Sequence, residues 1–169
     1  MIDAAYCQLL ARYNRWMNER LYALVGQMPD TERTRDRGAF FGSIQRTLSH
    51  LVWADRIWLG RFTQETYREP GYGADLYRDF GSLAREREAT DAAILDWTGR
   101  VADAWLRGPL TYTRGSDGKT VTLPAWIAVV HYFNHSTHHR GQVTTLMKQA
   151  GVDPGVTDLP WMPGITSDG

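Results

Sequence analysis

Four of the five histidines lie close together in the sequence, at positions 131, 135, 138 and 139. Apolar residues around them recur at helical spacing, which predicts that the cluster lies on an α-helix. These apolar residues are Ile127, Val130, Val143, Leu146 and Met147. On such a helix, His131, His135 and His139 share one stripe. Histidines four residues apart have Cβ atoms about 5–6 Å apart, so two such rings can reach one metal ion at about 2.0–2.1 Å.

A third imidazole has to come from elsewhere, and the remaining histidine is His50. The sequence therefore predicts a three-histidine metal site that joins two helices. His131 and His139 cannot both bind the same ion, because two turns of helix separate them by about 12 Å. The helical pair is either His131 with His135 or His135 with His139, and the spacing leaves both open. We expect His131 to be a supporting or core residue and His138 to be a surface residue.

A site made of imidazoles favours Zn, Ni, Cu, Co or Fe(II), since Mg and Ca prefer oxygen ligands. Three protein ligands leave a position for water or substrate, which is typical of catalytic rather than structural zinc. Such an ion can lower the pKa of bound water or of a bound thiol. Because binding requires neutral imidazoles, we expect the metal to dissociate as the pH falls below about 6.5.

Other polar residues near the histidines are candidates for supporting roles. Asp55, one turn and a residue beyond His50, is a candidate general base, although nothing else in the sequence favours that role. Asn134, Arg140 and Gln142 are candidates for orienting the ligands or a bound substrate, because ligating imidazoles normally donate their second N–H to an oxygen acceptor. Each of the three is equally typical of an exposed residue on a helix.

Hydrophobic periodicity predicts four amphipathic helices, at about residues 4–25, 43–62, 76–97 and 124–149. Ser43 is the expected N-cap of the second helix, and Pro124 opens the fourth, which Thr122 could cap. Strand-forming residues flank a Gly-Ser-Asp-Gly turn and predict a hairpin over residues 108–123. The predicted fold class is all-α: a single domain, residues 1–169, built as a four-helix bundle with a short β-hairpin between helices 3 and 4.

The connecting segments carry fewer signals. Residues 29–42 are predicted to be a loop and residues 64–74 an irregular linker, while the charged run at 85–88 is expected to face solvent. Gly141 costs a helix about 1 kcal/mol relative to Ala, which suggests the close approach of another helix. The tail over residues 152–169 is expected to lie extended on the bundle, held there by Trp161.

The composition limits the partners of this chain. Nineteen Lys and Arg residues balance nineteen Asp and Glu residues, so nothing indicates electrostatic binding to nucleic acid or to an anionic membrane. No apolar run approaches the roughly 20 residues that span a membrane, and the N-terminus does not resemble a signal peptide. The single cysteine, Cys7, excludes an internal disulfide and is expected to be a buried apolar residue. We therefore expect a cytoplasmic protein.

Three stretches of the sequence match a known pattern. Residues 133–142 read Phe-Asn-His-Ser-Thr-His-His-Arg-Gly-Gln, and this is the most specific of the three. The others are Tyr-Asn-Arg-Trp at 13–16 and Thr-Leu-Ser-His-Leu at 47–51, the latter followed by Asp55 and Trp58. Together they resemble the DinB-like (DNA-damage-inducible) family, and the resemblance covers nearly the whole chain in order.

The resemblance implies a four-helix bundle in which one histidine of the second helix and two of the fourth bind a divalent ion, often nickel or zinc. Carried over by position, these ligands are His50, His135 and His139. It also implies a homodimer packed through helices. The family is grouped with metal-dependent hydrolases and thiol S-transferases, and some members use a low-molecular-weight thiol, mycothiol or bacillithiol, as cosubstrate.

Two functional hypotheses follow. The first is a metal-dependent enzyme, either a thiol-dependent transferase or a hydrolase, in which an open metal activates a thiol or water toward a small-molecule substrate. The second is a non-catalytic metal-binding module of a stress response, whose partner is another protein. Di-iron carboxylate chemistry requires Glu-x-x-His pairs, and no Glu stands three residues before any of these histidines. The sequence identifies no catalytic residue.

Overall fold

Four long helices, two short ones and a hairpin make up the computed structural model, which describes residues 2–65, 77 and 79–166. The helices are α1 (Ala4–Gly26), α2 (Asp30–Thr34), α3 (Ile44–Thr63), α4 (Phe80–Arg100), α5 (Asp103–Arg107) and α6 (Ala125–Gln149). Strands β1 (Pro109–Thr113) and β2 (Thr120–Pro124) lie between α5 and α6, and a 3₁₀ turn spans Leu159–Trp161. The predicted helical bundle with a hairpin before its last long helix is therefore confirmed.

Side-chain caps fix where three of the four long helices begin. In each, an Asp or Ser side chain accepts a hydrogen bond from a backbone N–H of the first turn. These caps are Asp3, Ser43 and Asp79. The predicted N-cap at Ser43 is confirmed, whereas the predicted start of the next helix, Leu76, lies outside the described residues. That helix begins at Phe80 because the carboxylate of Asp79 accepts from the N–H of Ser82 at 2.7 Å.

The packing of α3 against α6 is what positions the predicted metal site. Helix α3 lies next to α4 and α6, and α1 lies next to the same two helices. One part of the core includes Leu21, Leu48, Leu83 and Met147. The other part includes Phe62, Trp97, Leu106 and Tyr132. Burying each such side chain contributes about 1.5–3 kcal/mol, and because α3 carries His50 while α6 carries the histidine cluster, this packing brings the predicted ligands together.

The predicted hairpin is an antiparallel pair in which Leu110 opposes Leu123 and Thr111 opposes Thr122. Leu110 is buried in the same part of the core as Tyr132, so the hairpin packs on the bundle. The expectation that Thr122 caps α6 is wrong, because its hydroxyl forms a hydrogen bond with that of Thr111 at 2.9 Å. The N-cap position of α6 is instead occupied by the proline that ends β2.

The predicted loop at residues 29–42 is wrong in part, because it contains α2. Pro29 stands at the N-cap of this helix, and Asp30 and Glu32 lie in its first turn, where acidic side chains complement the helix dipole. Helix α5 was also not expected. Helices of five residues are too short to show a hydrophobic period, so their absence from the prediction has a physical cause. Of the predicted linker at 64–74, residues 66–74 lie outside the described part of the chain.

The charged run at 85–88 does not face solvent throughout. Arg85 and Glu88 are exposed as expected, but Arg87 is only 3% exposed. Its guanidinium Nη1 donates to Oδ2 of Asp55 on α3 at 2.6 Å, and its Nη2 lies 2.9 Å from Oδ1 of Asp91. The prediction is wrong at Arg87 because an acidic residue of another helix provides the partner, and a local charge pattern does not contain that information.

The tail lies along α1, but Trp161 does not hold it there. Trp161 is 64% exposed, whereas its neighbour Met162 is 5% exposed. The tail is also held by its backbone, since the carbonyl of Thr157 accepts a hydrogen bond from the hydroxyl of Tyr13 at 2.5 Å. The prediction that Trp161 holds the tail on the bundle is therefore wrong, and the buried side chain at this point is that of Met162.

Gly141 lies exposed on α6, and a Cβ built there would meet no other atom within 4 Å among the described residues. No helix of the described residues therefore approaches Gly141 closely. Cys7, by contrast, is fully buried as expected.

In the part of the chain that the structure describes, each helix is too short or too polar to cross a membrane.

Candidate metal centre

Three histidine side chains meet between α3 and α6. His50 comes from α3, and His135 and His139 come from successive turns of α6. One ring nitrogen of each lies within 4.8 Å of those of the other two, and Nε2 of His50 is 3.2 Å from Nε2 of His135. A tetrahedral ion bound at 2.0–2.1 Å separates its nitrogen ligands by about 3.3 Å. This three-histidine cluster is therefore compatible with a divalent metal site.

The ring orientations are set by neighbouring side chains. Phe41, which precedes α3, stacks on the His50 ring with centroids 4.1 Å apart, and Trp53 stacks at 5.7 Å. Nδ1 of His139 lies 2.7 Å from the side-chain oxygen of Gln142, one turn further along α6. Because that oxygen can only accept, Nδ1 of His139 carries the proton and Nε2 keeps its lone pair for a ligand. The candidate orienting role of Gln142 thus has a direct geometric basis.

Burial keeps these imidazoles neutral. Desolvation, and secondarily the charge of His139, lower the pKa of His50 to about 4. The pKa of His135 falls to about 3 for the same main reason, with its histidine neighbours contributing. Burial also lowers the pKa of His139, against the hydrogen bond to Gln142. All three side chains are therefore in the unprotonated form that a metal ion requires near neutral pH.

The structure groups His135 and His139, rather than His131 and His135, with the histidine of α3. The His131 ring packs edge-on against Trp58 at 5.1 Å and lies 5.8 Å from the His135 ring, so it borders the cluster. His138 is exposed, as expected for a surface residue.

Two of the candidate supporting residues point elsewhere. Asp55 is 1% exposed, and its carboxylate accepts from Arg87 and, at 3.1 Å, from the hydroxyl of Ser136. This carboxylate is committed to an ion pair inside the bundle, so its suggested role as a general base is not supported. Arg140 is also buried and donates to Asn14 on α1, away from the histidines.

The cluster forms part of the wall of a cavity of about 400 Å³. Aromatic side chains make up much of the rest of the wall, and no Asp or Glu of the described residues lines it. Besides the three histidines, the main lining residues are Phe41, Trp53, Ile57, Trp58, Arg61 and His131. The sequence reasoning missed Phe41 and Arg61. Arg61 could have been found, because positions 50, 54, 57 and 61 follow helical spacing along the stripe that carries His50.

The fold and the cluster together define a class: a helical-bundle protein with an open three-histidine centre of the kind that suits a divalent metal. The family model described as the DinB family matches residues 1–168, so the chain belongs to the DinB family. The resemblance noted in the sequence is thereby confirmed.

Two relatives agree with this assignment. The chain is 27% identical over 154 residues to Protein DinB of Bacillus subtilis (strain 168), a match that covers 88% of each protein. The crystal structure of a DinB-like protein from Bacillus cereus ATCC 10987 is similar with a TM-score of 0.62 and 20% identity. That match covers 83% of this chain and 91% of the other, and it supports the fold.

Proposed function

We propose that this DinB-family protein binds a divalent ion, nickel or zinc, through His50, His135 and His139. We further propose that it uses the ion as a metal-dependent enzyme, either a thiol-dependent transferase or a hydrolase, acting on a small molecule. The observation that carries the proposal is the convergence of the three ring nitrogens within 4.8 Å in the wall of a cavity large enough for a substrate.

The donor set fits such an ion. Three neutral imidazoles, with no carboxylate of the described residues lining the cavity beside them, suit zinc or nickel better than magnesium or calcium. A metal bound there would act as a Lewis acid and lower the pKa of water or of a thiol. With three protein ligands, the cavity side is left for that water, thiol or substrate.

Neighbouring side chains orient the histidine rings and shield them from water. Gln142 fixes the tautomer of His139 through its 2.7 Å hydrogen bond. Phe41 and Trp53 stack on the His50 ring, which restrains its rotation and limits access of water to it. These contacts hold the nitrogens in place before an ion binds, so less ordering accompanies binding.

A thiol that takes part in the reaction has to come from a separate molecule. Cys7 is fully buried, and it is not among the residues that line the cavity. Burial raises the pKa of Cys7 to about 11, so its sulfur stays protonated near neutral pH and is a poor nucleophile. A low-molecular-weight thiol as cosubstrate is therefore consistent with the site.

The direct test is metal content by elemental analysis. We expect stoichiometric nickel or zinc in the native protein and in Gln149→Ala, an exposed control at the end of the same helix, and a large loss of metal in His135→Ala. Full metal content in His135→Ala would contradict the ligand assignment. The enzymatic part is tested by incubating metal-loaded protein with electrophiles, with and without low-molecular-weight thiols.

If the metal is present but spectroscopy shows four protein ligands and no exchangeable water, the non-catalytic metal-binding module is favoured instead. The homodimer implied by the family resemblance stays a prediction, which light scattering would test.

A further inference from the structure

A single guanidinium group lies in the cavity wall beside the histidine cluster. Arg61, in the last turn of α3, lies against two aromatic rings that meet edge-to-face: its Cζ atom lies 4.4 Å from the centroid of Trp58 and 4.2 Å from that of Tyr112 on β1, and the two centroids are 5.5 Å apart. Cation–π contacts with these two adjacent rings restrain the position of the guanidinium. The N–H groups at the edge of the guanidinium remain available for hydrogen bonds.

Within residues 2–65, 77 and 79–166, nothing neutralises this charge. No carboxylate lies within ion-pair distance of Arg61, and no group accepts a hydrogen bond from its side chain there. Other arginines of the interior are paired, Arg87 with two aspartates and Arg140 with Asn14 and Thr137. Burial lowers the pKa of Arg61, which shows that holding an unpaired cation at this position has a cost.

The position of Arg61 relative to the histidines is defined by a chain of ring contacts. Trp58 contacts the His131 ring at 5.1 Å, and His131 in turn lies 5.8 Å from the His135 ring. The cavity therefore has the guanidinium at one place in its wall and the three-nitrogen cluster at another, with the Trp58 ring between them. No acidic side chain of the described residues lines it, so a bound divalent ion would make it still more positive.

We propose that this cavity binds a small organic carboxylate, whose anionic group is held by the edge of the Arg61 guanidinium. Planar, bidentate pairing with a carboxylate is the interaction for which a guanidinium fork is best suited. The apolar body of the acid lies against Trp58 and Ile57, and its far end faces the histidine cluster. This inference rests on the proposed function for the reaction at that far end, but the anion site itself depends only on Arg61 and its two rings.

The test compares an acid with its neutral isostere, using 3-phenylpropanoate and 3-phenylpropanamide as probes in isothermal titration calorimetry. We expect the native protein to bind the acid more tightly than the amide. In Arg61→Gln we expect the affinity for the acid to fall roughly ten- to hundredfold, as for the loss of hydrogen bonds to a charged group, with little change for the amide. Arg61→Lys keeps the charge without the planar fork, so an intermediate loss is expected.

Controls separate this site from the metal. Arg107→Gln, an exposed arginine on α5 outside the cavity, should bind both probes like the native protein. The titrations are repeated after treatment with a chelator, and metal content is measured on every sample. An acid preference that needs Arg61 and survives chelation supports the proposal even if the protein proves to hold no metal, in which case only the proposed function fails. Equal binding of the two probes by the native protein, or an unchanged acid preference in Arg61→Gln, overturns it.

Discussion

The guanidinium of Arg87 on α4 donates to the carboxylate of Asp55 on α3 at 2.6 Å, and both side chains are buried. Asp91, one turn further along α4, lies 2.9 Å from the same guanidinium and accepts from Asn18 on α1 at 3.0 Å. Although burial disfavours its charged form, the two aspartates hold the pKa of Arg87 above its ordinary value. This network joins all four long helices of the bundle, and it contacts the helix of the histidine cluster because Ser136, next to His135 on α6, donates to Asp55.

Arg87→Leu is expected to destabilise the fold by about 3–5 kcal/mol, because it leaves two buried carboxylates without a cation. The free energy of unfolding from urea denaturation measures this effect. Arg85→Leu, two residues earlier and exposed, should change that free energy by less than about 0.5 kcal/mol. Similar effects for the two variants would show that the buried network contributes little.

The metal-free protein is expected to lose stability as the pH falls below about 6.5. In the unfolded chain the histidines have their ordinary pKa of about 6.5, whereas in the folded chain the pKa of His50 is about 4 and that of His135 about 3. Between these values the unfolded state binds more protons, so the free energy of unfolding rises with pH. The contribution of these histidines to the free energy of unfolding is fully present above about pH 6.5. It is lost as the pH falls through their pKa values in the folded chain.

Urea unfolding of chelator-treated protein between about pH 4 and 6.5 measures how steeply the free energy of unfolding changes with pH. His135→Gln provides the comparison. Because glutamine does not titrate, the variant should show a shallower fall in stability between about pH 6.5 and 4. Identical slopes would mean that His135 is already protonated in the folded protein at those pH values, or that it titrates normally. The low pKa values also extend the expected loss of metal below the pH 6.5 suggested by the sequence, toward pH 4.

The histidine cluster was predictable because its geometry is mostly local. A spacing of four residues places His135 and His139 on one stripe of any helix, and His50 was the only histidine left to complete the set. The spacing alone could not decide between His131 and His139. Which of them clusters with His50 depends on where α3 crosses α6, which is a property of the packed core, and only the family resemblance pointed to the pair that the structure groups with His50.

The wall of the cavity and the buried ion pairs were less predictable than the cluster. Phe41 stacks on His50 from a segment that has no periodicity, so no local pattern connects the two residues. Arg87 was expected to be solvated because charged neighbours surround it in sequence, but its partner Asp55 is 32 residues away. Contacts of this kind form only when segments distant in sequence pack together, so local sequence patterns do not reveal them.

Gln142→Leu is expected to weaken metal binding by roughly 10- to 100-fold without abolishing it, because the three ligands remain while the acceptor that orients His139 is lost. Competition with a chromophoric chelator measures the affinity. Gln149→Leu, an exposed residue at the end of α6, is the matched control and should bind metal like the native protein. An unchanged affinity in Gln142→Leu would indicate that the packing of Phe41 and Trp53 alone fixes the site.

Gly141→Ala is expected to stabilise the protein by about 1 kcal/mol, since alanine is a better helix former and the new Cβ meets no atom within 4 Å among the described residues. Gly151→Ala should have the opposite effect, although its Cβ would also meet open space, because its φ of +80° belongs to the left-handed region that ends α6. Urea unfolding of both variants compares them, and metal content checks that the site is intact. If Gly141→Ala instead destabilises the protein while Gly151→Ala does not, helix propensity does not govern this surface of α6, and a partner bound against Gly141 becomes the better explanation for the glycine.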